Sequence, residues 1–176
     1  MFSLLPIAVI ASFFTHPRRL FLAIGLSCFG MLAFGILYLQ NTLGLTPCPM
    51  CVVQRYALIV VGLLCLAAAA LRTRTGWRVV GALAVLAAAL GAFTAARQSQ
   101  LQWDPPPFPT CGRDIYGMIE SFPLQRAIPM IFQGSGDCSA IDWTFLGLTI
   151  ANWSFVCFVV FGVAILAALF KARPTA

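Results

Sequence analysis

Charge is what this 176-residue chain has least of: only 9% of its residues are Asp, Glu, Lys or Arg, against 61% that are apolar. A soluble domain of this length could not hide so much apolar surface, and the mean hydropathy of +0.93 places the chain in a bilayer. Acidic residues are confined further, since all five (Asp104, Asp114, Glu120, Asp137 and Asp142) fall in one stretch. The single histidine, His16, stands beside Pro17 as a loop residue rather than a catalyst. The basic residues form no clustered face interleaved with aromatics, so no nucleic acid is expected as a partner. No internal repeat and no low-complexity linker divides the chain, and residues 1–176 read as a single membrane domain.

What is present is a set of four apolar runs, each near the ~20 residues that span a bilayer core. They cover Leu20–Leu39, Val52–Leu71, Val79–Ala96 and Leu148–Phe170. In hydrocarbon every backbone amide and carbonyl must be paired within its own segment, so the fold class is an all-α membrane protein, a four-transmembrane-helix bundle. Span three carries Gly81, Ala84, Ala87, Ala88, Gly91 and Ala95, which let neighbouring helices approach closely. Arg18, Arg19, Arg72, Arg74, Arg78, Lys171 and Arg173 all flank one side of these spans. Cytoplasmic loops carry the excess of Lys and Arg, so both termini are expected in the cytoplasm. The loops 40–51 and 97–147 then face the opposite side. Residues 1–19 form a cytoplasmic extension whose first fourteen residues, MFSLLPIAVIASFF, are too short to span and lack the basic region of a signal peptide. Within the longer loop, Ile115, Tyr116, Met118, Ile119 and Phe122 have spacing compatible with a short amphipathic helix on the membrane face, interrupted by Gly117 and stopped by Pro123, and equally with an irregular loop that buries these side chains.

Seven cysteines divide by location. Cys28, Cys65 and Cys157 lie in mid-span, where a thiol behaves as a small hydrophobe. Cys48, Cys51, Cys111 and Cys138 all lie on the non-cytoplasmic side, and that even number favours two disulfides. Cys111 and Cys138 are 27 residues apart, and a bridge over such a loop would stabilise the chain by roughly 3 to 4 kcal/mol. A ring closed by Cys48 and Cys51 would gain almost nothing, so their proximity points to chemistry. Pro49 suits the first position of a helix, which puts Cys51 in the first turn, where free amides and the helix dipole favour a thiolate. Arg55 follows one turn deeper on the same face, and an arginine just inside a span is a functional candidate by default. Beside a thiolate it could stabilise a reduced, anionic acceptor at the lipid boundary, for which a quinone is the natural choice. The competing reading is a tetrahedral zinc site built from the four outer cysteines, although structural zinc sites usually show two close ligand pairs.

The motifs C-P-M-C-V-V-Q-R (48–55), L-Q-W-D-P-P-P-F-P-T-C (101–111) and S-G-D-C-S-A-I-D-W-T-F-L-G-L (135–148), in this order and between these spans, are together specific. The chain resembles the disulfide bond formation protein B (DsbB) family of bacterial inner-membrane oxidoreductases. That resemblance implies a protein whose redox centres face the periplasm, that reoxidises a DsbA-like thiol oxidase and that passes electrons to a membrane quinone, either ubiquinone or menaquinone. It further implies that Cys111 forms the mixed disulfide with the partner, that Cys138 exchanges with Cys48, and that Cys51 and Arg55 contact the quinone. Gln98 and Gln102 are candidate quinone-binding residues. Some members carry an acidic residue where this chain has Gln54 and a histidine where it has Gln98. A vitamin K epoxide reductase-like enzyme is the second reading, but there the quinone-side CxxC belongs to the last helix, and here span four has only Cys157.

Overall fold

Proline at position 17 starts the first helix, where its missing amide costs nothing because first-turn amides have no intrahelical partner. The computed structural model describes residues 17–105 and 136–171. Helix α1 (Pro17–Ala33) passes without a break into a wider, π-helical stretch, Phe34–Thr42, sealed by the Leu43 amide donating to Tyr38 O. Glycines 30 and 35 flank the change of winding, at the positions of lowest helix propensity. Helix α2 (Pro49–Ala70) and α3 (Arg74–Trp103) follow, joined by a three-residue turn. After the undescribed segment come the short α4 (Gly136–Ser139), a hairpin of β1 (Thr144–Phe145) and β2 (Leu148–Thr149), and finally α5 (Ile150–Lys171).

Among the described residues four helices are long and apolar enough to cross a membrane, and no more than a third of the apolar window of any of them is buried inside the protein. Leu26, Leu37, Leu63, Leu86, Leu90, Val163 and Phe170 point outward. They would cost little in lipid and a great deal in water. The interior face is narrow and made of small residues interleaved with a few large ones. Phe21, Cys28, Val61, Cys65, Ala84, Ala88, Phe158 and Ile165 are fully buried in one cluster. Helix α3 packs on both α2 and α5, and α1 packs on α2, whereas α1 and α5 touch only slightly. The bundle therefore has one loose seam.

The helices start a few residues before the apolar runs at Leu20, Val52 and Val79, and two further differences from the hydropathy reading bear on the site. The third helix continues two turns past Ala96 to Trp103, so Gln98 and Gln102 lie on a helix instead of in a loop. Hydropathy falls there, but the run Ala-Ala-Arg-Gln-Ser-Gln-Leu-Gln keeps good helix formers until Pro105. Before α5, Leu146 (φ 52°) and Gly147 (φ 78°) make a tight hairpin turn with both central residues left-handed. Leu146 is an uncommon residue for that conformation, which costs an L-residue roughly 1–2 kcal/mol. The Trp153 indole N–H donates to Phe145 O at 3.0 Å and holds the hairpin against α5. Cys111, the 115–122 stretch, His16 and Arg173 lie outside the described residues.

Candidate active site

Cys48 is the N-cap of α2, with extended backbone (φ −68°, ψ 160°) and Pro49 at the first helical position. Its sulfur accepts the Cys51 amide at 3.2 Å, and its carbonyl accepts the Val52 amide at 3.1 Å. A cysteine here does what serine or asparagine does at other helix starts, occupying an amide that would otherwise be unpaired. Cys51 is then fixed in the first turn, at the positive end of the helix dipole.

Packing brings a third sulfur to this pair. Cys138, in α4, is fully buried in a small cluster with Cys48, Met50 and Leu101. Cys48 is within hydrogen-bonding reach of both Cys138 and Cys51. Those two hydrogen bonds, Cys138 first, followed by burial, push the Cys48 thiol well above its ordinary range. Cys48 therefore holds its proton, and negative charge in the row belongs on Cys51, beside the helix N-terminus. Cys48 and Cys51 are both thiols in this structure, with no disulfide between them. Among the described residues, no group of three or more His, Cys, Asp or Glu side chains is placed to hold a metal ion.

Two buried amides complete the arrangement. Gln98 Nε2, on α3, donates to Cys48 Sγ and to Cys51 Sγ, each at 3.3 Å. Gln54 Nε2, on α2, donates to Gln98 Oε1 at 2.6 Å. Gln102 is engaged differently: its Oε1 accepts the Thr149 hydroxyl at 2.7 Å and its Nε2 donates to Ala140 O at 3.4 Å. It ties the segment just after Cys138, and the end of the hairpin, to α3.

Beside the sulfurs lies a cavity of about 640 Å³, between the π-helical part of the first span and the hairpin and start of α5. Its walls are mostly apolar, with Leu39, Tyr38, Phe34, Trp143, Phe145 and Trp153 prominent. Several of these rings touch, among them Phe34 and Trp143 edge to face at 6.2 Å. Cys51 and Arg55 both line it, and Arg55 Nη1 donates to Gln40 Oε1 at 2.7 Å. That bond steadies the guanidinium in an otherwise apolar wall.

A family model, Disulfide bond formation protein DsbB, matches residues 17–168. The chain belongs to the DsbB family. Curated relatives named Disulfide bond formation protein B agree over nearly the whole chain. The protein of Paracidovorax citrulli (strain AAC00-1) is 60% identical over 159 residues, 90% of each chain. That of Acidovorax sp. (strain JS42) is 58% identical over 157 residues, 89% of this chain and 90% of its own. That of Polaromonas naphthalenivorans (strain CJ2) is 59% identical over 150 residues, 85% of this chain and 89% of its own. As a DsbB-family protein, the chain is a multi-pass membrane oxidoreductase of disulfide-bond formation with quinone-linked chemistry.

Of the residues singled out in the sequence, Cys48, Cys51, Cys138 and Gln98 converge on one point, while Arg55 and Gln102 line the adjoining cavity. Gln40, Gln54, Tyr38, Trp143 and Trp153 were not singled out as site residues. A signal existed for Gln54, since an uncharged amide in an apolar run has to find a partner.

Proposed function

We propose that the protein reoxidises a DsbA-like periplasmic thiol oxidase and delivers the two electrons to a membrane quinone. The observation that carries this reading is the cavity that opens onto Cys51 and Arg55 in the same wall. Its aromatic and aliphatic lining suits a flat, apolar ring, and the Arg55 guanidinium is a donor matched to a quinone oxygen. The loose seam between α1 and α5 gives such a molecule contact with lipid. When bound, the quinone supplies the two-electron oxidant.

The chain's own residues account for the thiol steps. The Cys138 thiolate attacks Cys48 Sγ of a Cys48–Cys51 disulfide; the Cys48–Cys138 bond forms, and Cys51 leaves as a thiolate. The packing of Cys48 between the two other sulfurs supports this exchange, and the helix N-terminus together with the Gln98 amide stabilises the leaving sulfur. Cys111 would carry the exchange to the partner from the loop 97–147, which we place in the periplasm with residues 40–51, both termini being cytoplasmic. Gln98 would face the quinone from behind the sulfurs, and Gln102 would act on the same cavity through the hairpin that it anchors. The CxxC stands at the start of the second spanning helix, which supports this reading over a vitamin K epoxide reductase-like one.

Purified protein supplied with a quinone should oxidise reduced DsbA and reduce one quinone per disulfide formed. Absence of quinone reduction under those conditions would overturn the proposal. Arg55→Gln should raise KM for quinone by on the order of tenfold or more, because a hydrogen bond from a charged donor is lost. Steady-state kinetics with varied quinone checks this, and an unchanged KM would remove Arg55 from the site. A Cβ added at Gly35 meets nothing within 4 Å, and Gly35 lines the cavity. Gly35→Leu should therefore fold normally while occupying quinone space, raising KM without a comparable change in Tm.

A further inference from the structure

A primary amide has two faces of opposite electrostatic character, and nothing in glutamine itself decides which face meets a sulfur. Oxygen toward a thiolate repels it, whereas N–H toward it stabilises the charge. Here the decision is made one residue further out. Gln54 and Gln98 are both only 4% exposed, and the Gln54 N–H donating to Gln98 Oε1 occupies the one atom of Gln98 that could otherwise turn to the sulfurs. Gln98 is left with its N–H group for the sulfurs, and Nε2 donates to both Cys48 Sγ and Cys51 Sγ.

We infer that Gln54 is a positioning residue: it locks the Gln98 amide with its N–H groups toward Cys48 and Cys51, so that Gln98 stabilises the Cys51 thiolate without surrendering a proton. The inference rests on the reading of Cys51 as the electron-donating sulfur. Neither glutamine titrates, so the pair gives Cys51 a stabilising contact whose strength does not vary with pH. The titratable and charged groups around it are Cys48 at the α2 N-cap, Cys138 on α4 and Arg55 on α2, with Tyr38 of the first span and Asp142 before the hairpin across the cavity. Among the described residues that line the cavity, α3 and α5 contribute no titratable group.

Gln54→Glu tests the lock with little change in shape. While protonated, the introduced carboxyl group still donates to Gln98 Oε1; once ionised it cannot, and it draws the Gln98 N–H groups to itself, turning the oxygen toward the sulfurs. The readout is alkylation of Cys51 by iodoacetamide in the reduced, quinone-free protein, with the modified cysteine located by fragment mass spectrometry. Below the pH at which the Cys51 thiol is mostly ionised, the ratio of the Gln54→Glu rate to the wild-type rate should be near one in acid and fall about tenfold or more as the introduced carboxyl group ionises, as expected when hydrogen bonds to a charged group are lost. Gln54→Leu, which removes the lock without adding a charge, should be slower than wild type by a smaller factor that stays constant over that same pH range. Its effect separates orientation from simple repulsion.

A ratio for Gln54→Glu that stays flat across pH, or a Gln54→Leu rate equal to wild type, would overturn the lock. Recovery of the Gln54→Glu rate in acid also shows that this variant is folded. If the alkylation pattern holds while the wild-type protein fails to reduce quinone, the proposed function fails and the lock stands.

Discussion

Cys48→Ser should abolish quinone-linked oxidation of DsbA, a loss on the order of a thousandfold or more, as expected for removal of an essential sulfur from the exchange. The reason is positional. Among the described residues, Cys48 is hydrogen-bonded to both other site cysteines, so in the proposed relay electrons pass between Cys138 and Cys51 through it. Two companion variants should fail in different ways. Cys51→Ser leaves Cys48 and Cys138 in contact; once Cys111 and Cys138 are bridged, the Cys48 thiolate should attack Cys138 Sγ and release the Cys111 thiolate, so that a Cys48–Cys138 disulfide accumulates, visible by mass mapping of non-reduced peptides. Cys138→Ala should lose oxidation of DsbA but keep quinone reduction driven by a small dithiol that reaches the Cys48–Cys51 disulfide directly. Equal activity of Cys48→Ser and wild type would refute the relay, and activity of Cys138→Ala with DsbA would refute its order.

The second large effect concerns stability and lies far from the sulfurs. A Cβ built at Gly91 falls 2.4, 2.5 and 2.7 Å from atoms of the Phe158 ring, which is itself fully buried. Such contacts cannot persist, and they lie where α3 and α5 pack against each other. Gly91→Val should therefore separate the two helices, costing roughly 1–3 kcal/mol or more by overpacking, which outweighs the few tenths of a kcal/mol of helix propensity gained when valine replaces glycine. Thermal unfolding in detergent should show a Tm several degrees lower. Adding Phe158→Ala should recover part of the loss, because it removes the atoms that clash. Gly30→Ala is the control: nothing lies within 4 Å of its added Cβ, so Tm should hold or rise. Equal Tm values for Gly91→Val and wild type would show that the helices part at no cost.

The two large effects differ in how much of each could be read beforehand. The importance of Cys48 follows from spacing, since a CxxC with Pro49 between its cysteines at a span boundary announces a helix start and a reactive pair. Its centrality does not, because Cys138 stands 90 residues away in the chain and only packing brings it under the same helix end. The small-residue pattern of span three announces close helix contact, whereas the choice of Phe158 as the side chain that fills the gap at Gly91 is a matter of rotation and register between helices. The π-helical winding of Phe34–Thr42, which sets Gln40 against Arg55, has no counterpart in periodicity beyond two glycines.

Four spans, the sulfur pair at the start of the second and the arginine one turn below it were determined by the sequence alone. The physical reason is that hydropathy, proline geometry and the dipole of a helix terminus are local, acting over a turn or over the thickness of a bilayer. The tertiary structure decided what those local features meet. It extended α3 far enough to carry Gln98 to the sulfurs and joined it to Gln54, 44 positions earlier in the chain. It also gathered the cavity from the first span, the hairpin and α5. Such contacts depend on which buried faces interlock, and a desolvated amide or thiol takes its chemical role from the partner that packing assigns to it.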